Sequence, residues 1–415
     1  MRKRNFSDMD DGAPGEDDAR YASATYNSAT AMTSSYSTAD PQPSTSMNPI
    51  PVRAPTPSTF SDFYTTESEG RTGSNTVTVP GATSHPSLDD ISYTYAVTDE
   101  IRETLYREVF GRRLNTLQPV YQQPTDDDEI QRMERFHRMM YMVQGDRNCV
   151  GPVDQILNAP SDRKRRILDI GTGSGLWAIQ MADDYPDVEV VGCDLVPIQP
   201  EMVPPNCDFE VWDAQINPYS DEYFDVVHVR CVHTGIRNYP LFLEEIARVL
   251  APGGLVILIE SEVRALTEGK QPIEAGPRGG APGWHAFWEQ YRRCLAGNNI
   301  DTTVPTRLPA LLRGTGAFSD IIAQEATIPI GFWPKDAGLL TVGQYAWMDH
   351  DSFIPSIRPL FLSYGLSEFR VNILIEDAQQ DLYYPLTRPY SCVHVSQARK
   401  ITSWTPPRRR TRRLR

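Results

Sequence analysis

Ile167-Leu168-Asp169-Ile170-Gly171-Thr172-Gly173-Ser174-Gly175-Leu176-Trp177 decides how this chain is read. An apolar run stops at three alternating glycines, and a helical spacing of apolar residues begins at once with Leu176, Ile179 and Ala182. That order predicts a buried strand, a tight turn and a helix N-terminus. Glycine suits such a turn because it reaches positive φ without strain and lets a ligand approach the backbone. A second apolar run, Val188-Glu189-Val190-Val191-Gly192-Cys193, ends at Asp194. An acidic residue about twenty positions past a glycine turn is where nucleotide-binding α/β sheets place the acceptor for ribose hydroxyls.

Two ligand classes use such a turn. A dinucleotide turn wants G-x-G-x-x-G, with its third glycine at a position that holds Leu176 in this chain. Asp169, just ahead of the turn, would repel a pyrophosphate but can accept hydrogen bonds from an ammonium group. S-adenosylmethionine carries an α-amino group and a sulfonium and no phosphate. The D-x-G-x-G-x-G form therefore favours it over NAD.

The alternation continues downstream. Cys207–Trp212 reads as a third strand ending at Asp213-Ala214, and Phe224–Cys231 as a fourth. Leu243, Ile246, Ala247 and Leu250 mark a helix closed by Pro252-Gly253-Gly254, and Leu255–Ile259 is a fifth strand ending at Glu260. Strands alternating with helices imply a parallel sheet covered on both faces. Trp284–Leu295 and Thr306–Leu312 read as helices, and Ala337–Ser367 as a helical segment over the substrate side. Ile321–Ile330 and Tyr390–Gln397 would finish the sheet.

Upstream, residues 96–160 read as a helical extension. One helix is expected over Ile101–Gly111, with Ile101, Leu105 and Val109 on one face. A second is expected to start at Thr125, where Thr125 and Asp128 resemble a capping box, with Ile130, Met133, Phe136, Met140 and Val143 apolar. Such a pair lies either over the ligand as a lid or on the sheet edge. Residues 1–95 are rich in Ser, Thr and Pro without a sustained apolar period, which predicts a disordered tail. The main domain is expected over 161–400 and a basic tail over 401–415.

A formal charge of −14 argues against a general nucleic-acid surface, since phosphates are met with Lys and Arg. Positive charge is concentrated at Arg2-Lys3-Arg4 and at Arg408–Arg415, runs that read as a nuclear import signal or as solvated tails. The six cysteines form no C-x-x-C pair, which predicts reduced, packed thiols. With no membrane-spanning apolar run and no secretory h-region, an intracellular soluble protein is expected.

The order of these motifs resembles the class I S-adenosylmethionine-dependent methyltransferases. More narrowly, Asp194-Leu195-Val196-Pro197-Ile198-Gln199-Pro200, followed by Val203-Pro204-Pro205-Asn206-Cys207, resembles the fungal LaeA-like methyltransferases. Arg248–Gly254, Val395–Lys400 and the Tyr106–Asn115 segment fit the same pattern, so the resemblance spans about residues 92–400. It implies an α/β fold with the Rossmann-like seven-stranded methyltransferase sheet, an N-terminal helical extension and a disordered tail. It also implies methyl transfer, nuclear regulation of secondary metabolism and development, and velvet-domain partners. It supplies no methyl acceptor. A non-catalytic regulator on the same fold, a cytoplasmic small-molecule methyltransferase and an NAD(P)-dependent oxidoreductase are the alternatives.

Carried onto this sequence, the resemblance puts Asp169, Gly171, Gly173 and Gly175 at the methionine end of the cofactor, with Thr172 and Ser174 between them. Asp194 is expected at the ribose with Leu195 beside it, and Asp213 and Ala214 at the adenine. Arg230 and Cys231 end the fourth strand, where cofactor and acceptor are expected to meet. His233 and Glu260 are the candidate general bases. No metal set is expected, because side chains alternate along a strand and His228, Cys231 and His233 cannot converge on one ion. No Asn/Asp-Pro-Pro-Tyr/Phe or Pro-Cys follows the fourth strand, which disfavours methylation of DNA bases. The helix carrying Trp284, His285, Phe287, Trp288 and Tyr291 is read either as core or as a wall of the acceptor pocket.

Overall fold

The computed structural model describes residues 97–276 and 280–405, together with the backbone of short strands at Asn48–Pro49, Arg71–Thr72, Thr76–Val79 and Tyr93–Ala96. Seven strands form the centre: β1 (Arg166–Ile170), β2 (Glu189–Asp194), β3 (Cys207–Val211), β4 (Phe224–Arg230), β5 (Leu250–Ser261), β6 (Phe318–Pro329) and β7 (Tyr390–Lys400). Their spatial order is β6-β7-β5-β4-β1-β2-β3, and β7 runs antiparallel to both of its neighbours. Ile167, Leu168 and Ile170 of β1 are all buried, as a parallel strand covered on both faces requires. The chain runs outward from β1 through β2 to β3, then returns to the other side of β1 as β4. That reversal opens a crevice at the carboxyl ends of β1 and β4, the place where such sheets bind ligands. At the opposite end, Asp225 accepts from Arg163 at 2.9 Å, Arg165 at 2.7 Å and the Arg166 amide at 2.9 Å, locking β4 beside β1.

Ten helices are described: α1 (Asp99–Thr104), α2 (Asp127–Val143), α3 (Val153–Leu157), α4 (Leu176–Asp184), α5 (Tyr239–Val249), α6 (Pro282–Gly297), α7 (Val304–Gly314), α8 (Ala337–Ser356), α9 (Arg358–Ser363) and α10 (Glu368–Tyr383). One apolar layer packs α5 and α7 on the sheet through Leu243, Ile246, Leu308 and Leu312. The other face carries α2, α4, α6, α8 and α10 through residues such as Met140, Trp177, Phe287, Ala346 and Leu374. Caps fix where these helices start. Asn238 accepts from Leu241 N, Asp336 from Leu339 N and Ser367 from Arg370 N, each at N3 of its helix.

Three expectations change. The helix over Ile101–Gly111 stops at Thr104, and Tyr106–Val109 pairs with Arg112–Asn115 as an antiparallel hairpin. Phe110 and Gly111 both take positive φ, 50° and 75°, which is the two-residue turn matched to the twist of paired strands. The helix expected from Thr125 begins at Asp127 with Asp126 as its cap, accepting from Glu129 N, while the Thr125 hydroxyl donates to the Arg113 carbonyl. The same Asp126 carboxylate holds Arg112 at 2.6 Å, so one side chain caps α2 and clasps the hairpin to it. Finally, α10 had no place in the sequence reading, although Val371, Leu374, Ile375, Ala378 and Leu382 recur at helical spacing.

The tail expected over 1–95 lies largely outside the described residues. Within it, Thr76–Val79 pairs with β3, and Tyr93–Ala96 pairs with Thr76–Val79. Arg2-Lys3-Arg4 and Arg408–Arg415 lie outside the described residues altogether.

Helix α6 approaches α10 so closely that a Cβ on Gly283 would lie 2.2 Å from the Asp377 carbonyl oxygen. Gly283→Ala is expected to destabilise the fold by about 1–3 kcal/mol through overpacking. Denaturant unfolding reads this directly, and an unchanged midpoint would show that the two helices separate at no cost.

Candidate active site

The turn between β1 and α4 is held from below and from the side. Its Gly171 and Thr172 amides both donate to the Cys193 carbonyl at 2.9 Å, and the Gly173 amide donates to Asp194 Oδ2 at 2.8 Å. Gly173 and Gly175 sit at φ +57° and +83°. A Cβ on Gly173 would meet the Met133 sulfur at 2.7 Å, and one on Gly175 would meet the Phe209 ring at 2.4 Å, so neither position admits a side chain without rearrangement. Gln199, from the Pro-Ile-Gln-Pro block, donates to the Gly173 carbonyl at 2.7 Å and is itself buried. Sequence reasoning valued that block only for its resemblance. Its physical task is to pin the glycine turn.

A cavity of about 250 Å³ opens above the turn. Among the expected cofactor residues, Gly171, Thr172, Gly173, Ser174, Asp194 and Leu195 line it, as do Asp213, Ala214 and Arg230. Asp169 and Gly175 do not. Asp169 is buried beneath the turn, accepting from the Thr172 hydroxyl at 2.6 Å and bonded to His228 Nδ1 at 2.7 Å. His228 stacks on Trp177 with ring centroids 3.8 Å apart, and burial pushes its pKa down. The carboxylate expected to meet the ligand's ammonium is thus a brace for the turn, and Gly175 is the left-handed entry to α4.

Asp194 keeps its ligand-facing place. Its second oxygen accepts from its neighbour, the Leu195 amide, at 2.7 Å. Burial raises its pKa to about 6, against the opposing pull of the Gly173 and Leu195 amides. Trp212 extends the wall beside Asp213. At the end of β4, Arg230 lies 3.1 Å from His137 Nδ1, and His137 Nε2 lies 2.8 Å from Gln180 Oε1. Arg230 can only donate, so Nδ1 accepts and the proton sits on Nε2. Burial first, and then the Arg230 charge, push His137 down to about 3, so the imidazole stays neutral. Burial also lowers Arg230, which forms no ion pair with any of the described residues. A cation in the cavity wall held by no direct ion pair is a ready partner for an anionic group.

The candidate bases are brought together in an unexpected way. Glu260 is fully buried off the cavity and is bonded to four groups: the Val232 and His233 amides, the Tyr239 hydroxyl and His233 Nδ1, the last at 2.7 Å. It shapes the turn after β4 and does not reach a ligand. His233 lines the cavity, and its Nε2 has no partner among the described residues. Cys231, also in the wall, has a strained φ of +57°, and burial, with Glu260 nearby, pushes its thiol up to about 11. His228, Cys231 and His233 do not converge: the two imidazoles are held by Asp169 and Glu260.

Beyond the glycine turn the cavity is walled by helices. Arg132, Met133 and Phe136 come from α2, Trp288 and Tyr291 from α6, and Asp349 and Phe353 from α8. Arg132 is neutralised, bonded to Asp349 at 2.7 Å and to both oxygens of Glu129. The aromatic helix divides its faces. Trp284, Phe287, Trp288 and Tyr291 all belong to the core, Trp288 and Tyr291 also form wall, and His285 is exposed. Tyr121 and Gln118, from the segment before α2, close the chamber, a role no sequence pattern announced.

Comparison with known proteins gives the family. A methyltransferase domain family matches residues 144–294. The secondary metabolism regulator LaeA of Coprinopsis cinerea is 32% identical over 310 residues, covering 72% of this chain and 76% of that protein. This chain belongs to the LaeA-like methyltransferases. LaeA of Aspergillus flavus is 25% identical over 289 residues, covering 68% of this chain and 73% of its own length. Methyltransferase pytC of Aspergillus terreus is 30% identical over 261 residues, covering 62% and 75%. Among solved structures, Haemonchus contortus phosphoethanolamine N-methyltransferase 2 with S-adenosyl-L-methionine has a TM-score of 0.37 at 18% identity, covering 65% of this chain and 57% of that one. The cavity of this LaeA-like methyltransferase offers what S-adenosylmethionine, the expected cofactor, needs: a carboxylate for two hydroxyls, a glycine turn without side chains and a guanidinium outside any direct ion pair among the described residues.

The raised pKa of Asp194 gives this LaeA-like site a pH signature. The ionised carboxylate accepts from hydroxyls, so cofactor affinity is expected to be full above about pH 6 and to fall up to tenfold per unit below it. In the free protein the sign is opposite for stability. Between the ordinary carboxylate range and about 6 the native state holds a proton that the unfolded chain has lost, so stability falls as pH rises through that window. A calorimetric binding series across about pH 5 to 8 checks the first point. A flat profile would assign the ribose contact to another group.

Proposed function

We propose that this LaeA-like methyltransferase binds its cofactor along the carboxyl ends of β1 to β4 and methylates an acceptor seated between α2, α6 and α8. The observation that carries the reading is the single cavity joining the glycine turn, Asp194 and the aromatic chamber. Bound S-adenosylmethionine supplies an electrophilic methyl group on a sulfonium. Asp194 accepts from the ribose hydroxyls, and Trp212, Asp213 and Ala214 form the adenine end. Arg230, steered by neutral His137, pairs with the methionine carboxylate. In-line displacement depends mainly on alignment, which the walls of α2 and α6 impose by excluding other poses. For an acceptor that must lose a proton, His233 is the group we assign to take it, with Glu260 holding the ring.

We further infer a nuclear regulatory role, with velvet-domain proteins as partners. Its support is membership of a family of secondary metabolism regulators, together with the Arg408–Arg415 run. The aromatic chamber supports a second reading, a cytoplasmic methyltransferase acting on a small molecule. Deleting Arg408–Arg415 from a fluorescent fusion is expected to move it from nucleus to cytoplasm. An unchanged distribution removes the tail from the argument.

Calorimetry with S-adenosylmethionine and S-adenosylhomocysteine tests the site itself. Wild-type protein is expected to bind both, and Asp194→Ala and Gly173→Asp to bind neither. Arg230→Gln is expected to lose about 1.5–3 kcal/mol, the worth of a hydrogen bond to a charged group. Absence of binding by the wild type overturns the enzymatic reading. An unaltered Arg230→Gln removes only the assignment of the carboxylate.

A further inference from the structure

Strand β7 carries Cys392 and His394 two residues apart, so both point to one face of the sheet. Its antiparallel neighbour β5 pairs Glu260 with His394 and Ser261 with Val393, and the next amide, that of Glu262, donates to the Cys392 carbonyl at 2.9 Å. The register therefore brings a carboxylate, a thiol and an imidazole onto one patch. His394 Nε2 lies 2.9 Å from Glu262 Oε1 and 3.6 Å from Cys392 Sγ, and the three donor atoms all fall within 4.8 Å of one another. Cys392 and His394 are buried, and Glu262 is partly so.

We propose that Glu262, Cys392 and His394 form a binding site for one divalent transition-metal ion, zinc by preference. A tetrahedral ion with ordinary zinc bond lengths separates a nitrogen and a sulfur ligand by about 3.6 Å, and a nitrogen and an oxygen ligand by about 3.4 Å. The imidazole–thiol spacing already matches, and the imidazole–carboxylate pair has to open by about half an ångström. Thiolate, imidazole and carboxylate are a donor set for zinc and its neighbours, not for magnesium or calcium. One thiolate and one carboxylate also neutralise a divalent ion, so binding buries no net charge at the site.

The surroundings fit an outer shell. Arg264 holds the other oxygen of Glu262 at 2.9 Å, leaving Oε1 to face the site. On the far side of the imidazole, Nδ1 has no hydrogen-bond partner among the described residues and lies 3.9 Å from Glu325 Oε2, while the other oxygen of Glu325 is paired with Lys270. Metal-bound histidines commonly donate their second nitrogen to a carboxylate. On binding, the thiol releases its proton to solvent and the imidazole proton passes from Nε2 to Nδ1, facing Glu325. Without an ion the thiol keeps its proton, because burial and the carboxylates of Glu262 and Glu325 push it up to about 12. Three protein ligands leave the fourth position to water. The ion would tie the segment after β5 to β7, where Leu266 and Tyr390 already exchange backbone hydrogen bonds.

The test uses the full chain, free of any affinity tag and stripped with a chelator. Zinc is titrated against a chromophoric competitor, and cobalt is added separately to read the absorption of a cobalt–thiolate bond. One zinc equivalent is expected, weakened at least tenfold in Glu262→Gln and lost in Cys392→Ser and His394→Ala. The cobalt–thiolate band is expected in the wild type and absent in Cys392→Ser, with S-adenosylmethionine binding of that variant retained as a check on folding. No zinc binding by the wild type overturns the proposal, as does binding that survives loss of Cys392 and His394. If Cys392→Ser fails to fold, the wild-type cobalt spectrum decides alone, and a spectrum without the thiolate band overturns it.

Discussion

The structure depends on the grip of β2 on the glycine turn. The Cys193 carbonyl takes two amides from the turn, and the Asp194 carboxylate takes a third. Three left-handed glycines are costly to order because they lose the most backbone freedom on folding. These bonds, with Gln199 on the Gly173 carbonyl, hold the turn in one shape before any ligand arrives. Everything functional is referred to that shape: the start of α4, the floor of the cavity, and the carboxylate that both braces the turn and lines the cavity. Because Asp194 does both, the cavity lining and the turn geometry cannot vary independently.

A second organising feature is the polar seam between the sheet and its helices. Asp169 and His228 are bonded under the turn, and Gln180, His137 and Arg230 form a chain from α4 through α2 to β4. In a buried setting each bond counts for more, and each unmade bond costs more. The seam fixes the tautomer of His137 and the aim of Arg230, and it leaves that guanidinium in the wall without a direct ion pair among the described residues. A mirror arrangement on the other layer joins His233, Glu260 and Tyr239. The loop after β4 is thus pinned from both faces of the sheet.

Much of this was legible in the residues. The D-x-G-x-G-x-G turn, the acid at Asp194 and the strand–helix alternation located the sheet and the cavity floor, since each is set by local pattern. Where the reading failed, long-range partners had decided. Nothing local tells that Asp169 will be claimed by Thr172 and His228, or that Glu260 will be surrounded by donors from the β4 loop. Ile101, Leu105 and Val109 have a helical spacing that the turn at Phe110-Gly111 overrides. The α10 helix escapes the sequence reading despite an evident spacing and a serine cap. Cys392 and His394 gain a carboxylate neighbour only through the pairing of β5 with β7, which sets Glu262, just past the end of β5, beside them.

The contact between Gly283 and Asp377 bears on how such an enzyme diversifies. Helix α6 presents Trp288 and Tyr291 to the chamber from one face and rests its first turn on the backbone of α10. The two helices meet without an intervening side chain, so the depth of that contact sets where the aromatic wall stands. The proposed acceptor chamber is therefore exposed to drift from a helix that does not line it. Sequence change on α10 can resize the chamber while the cofactor half, gripped by β2, stays the same.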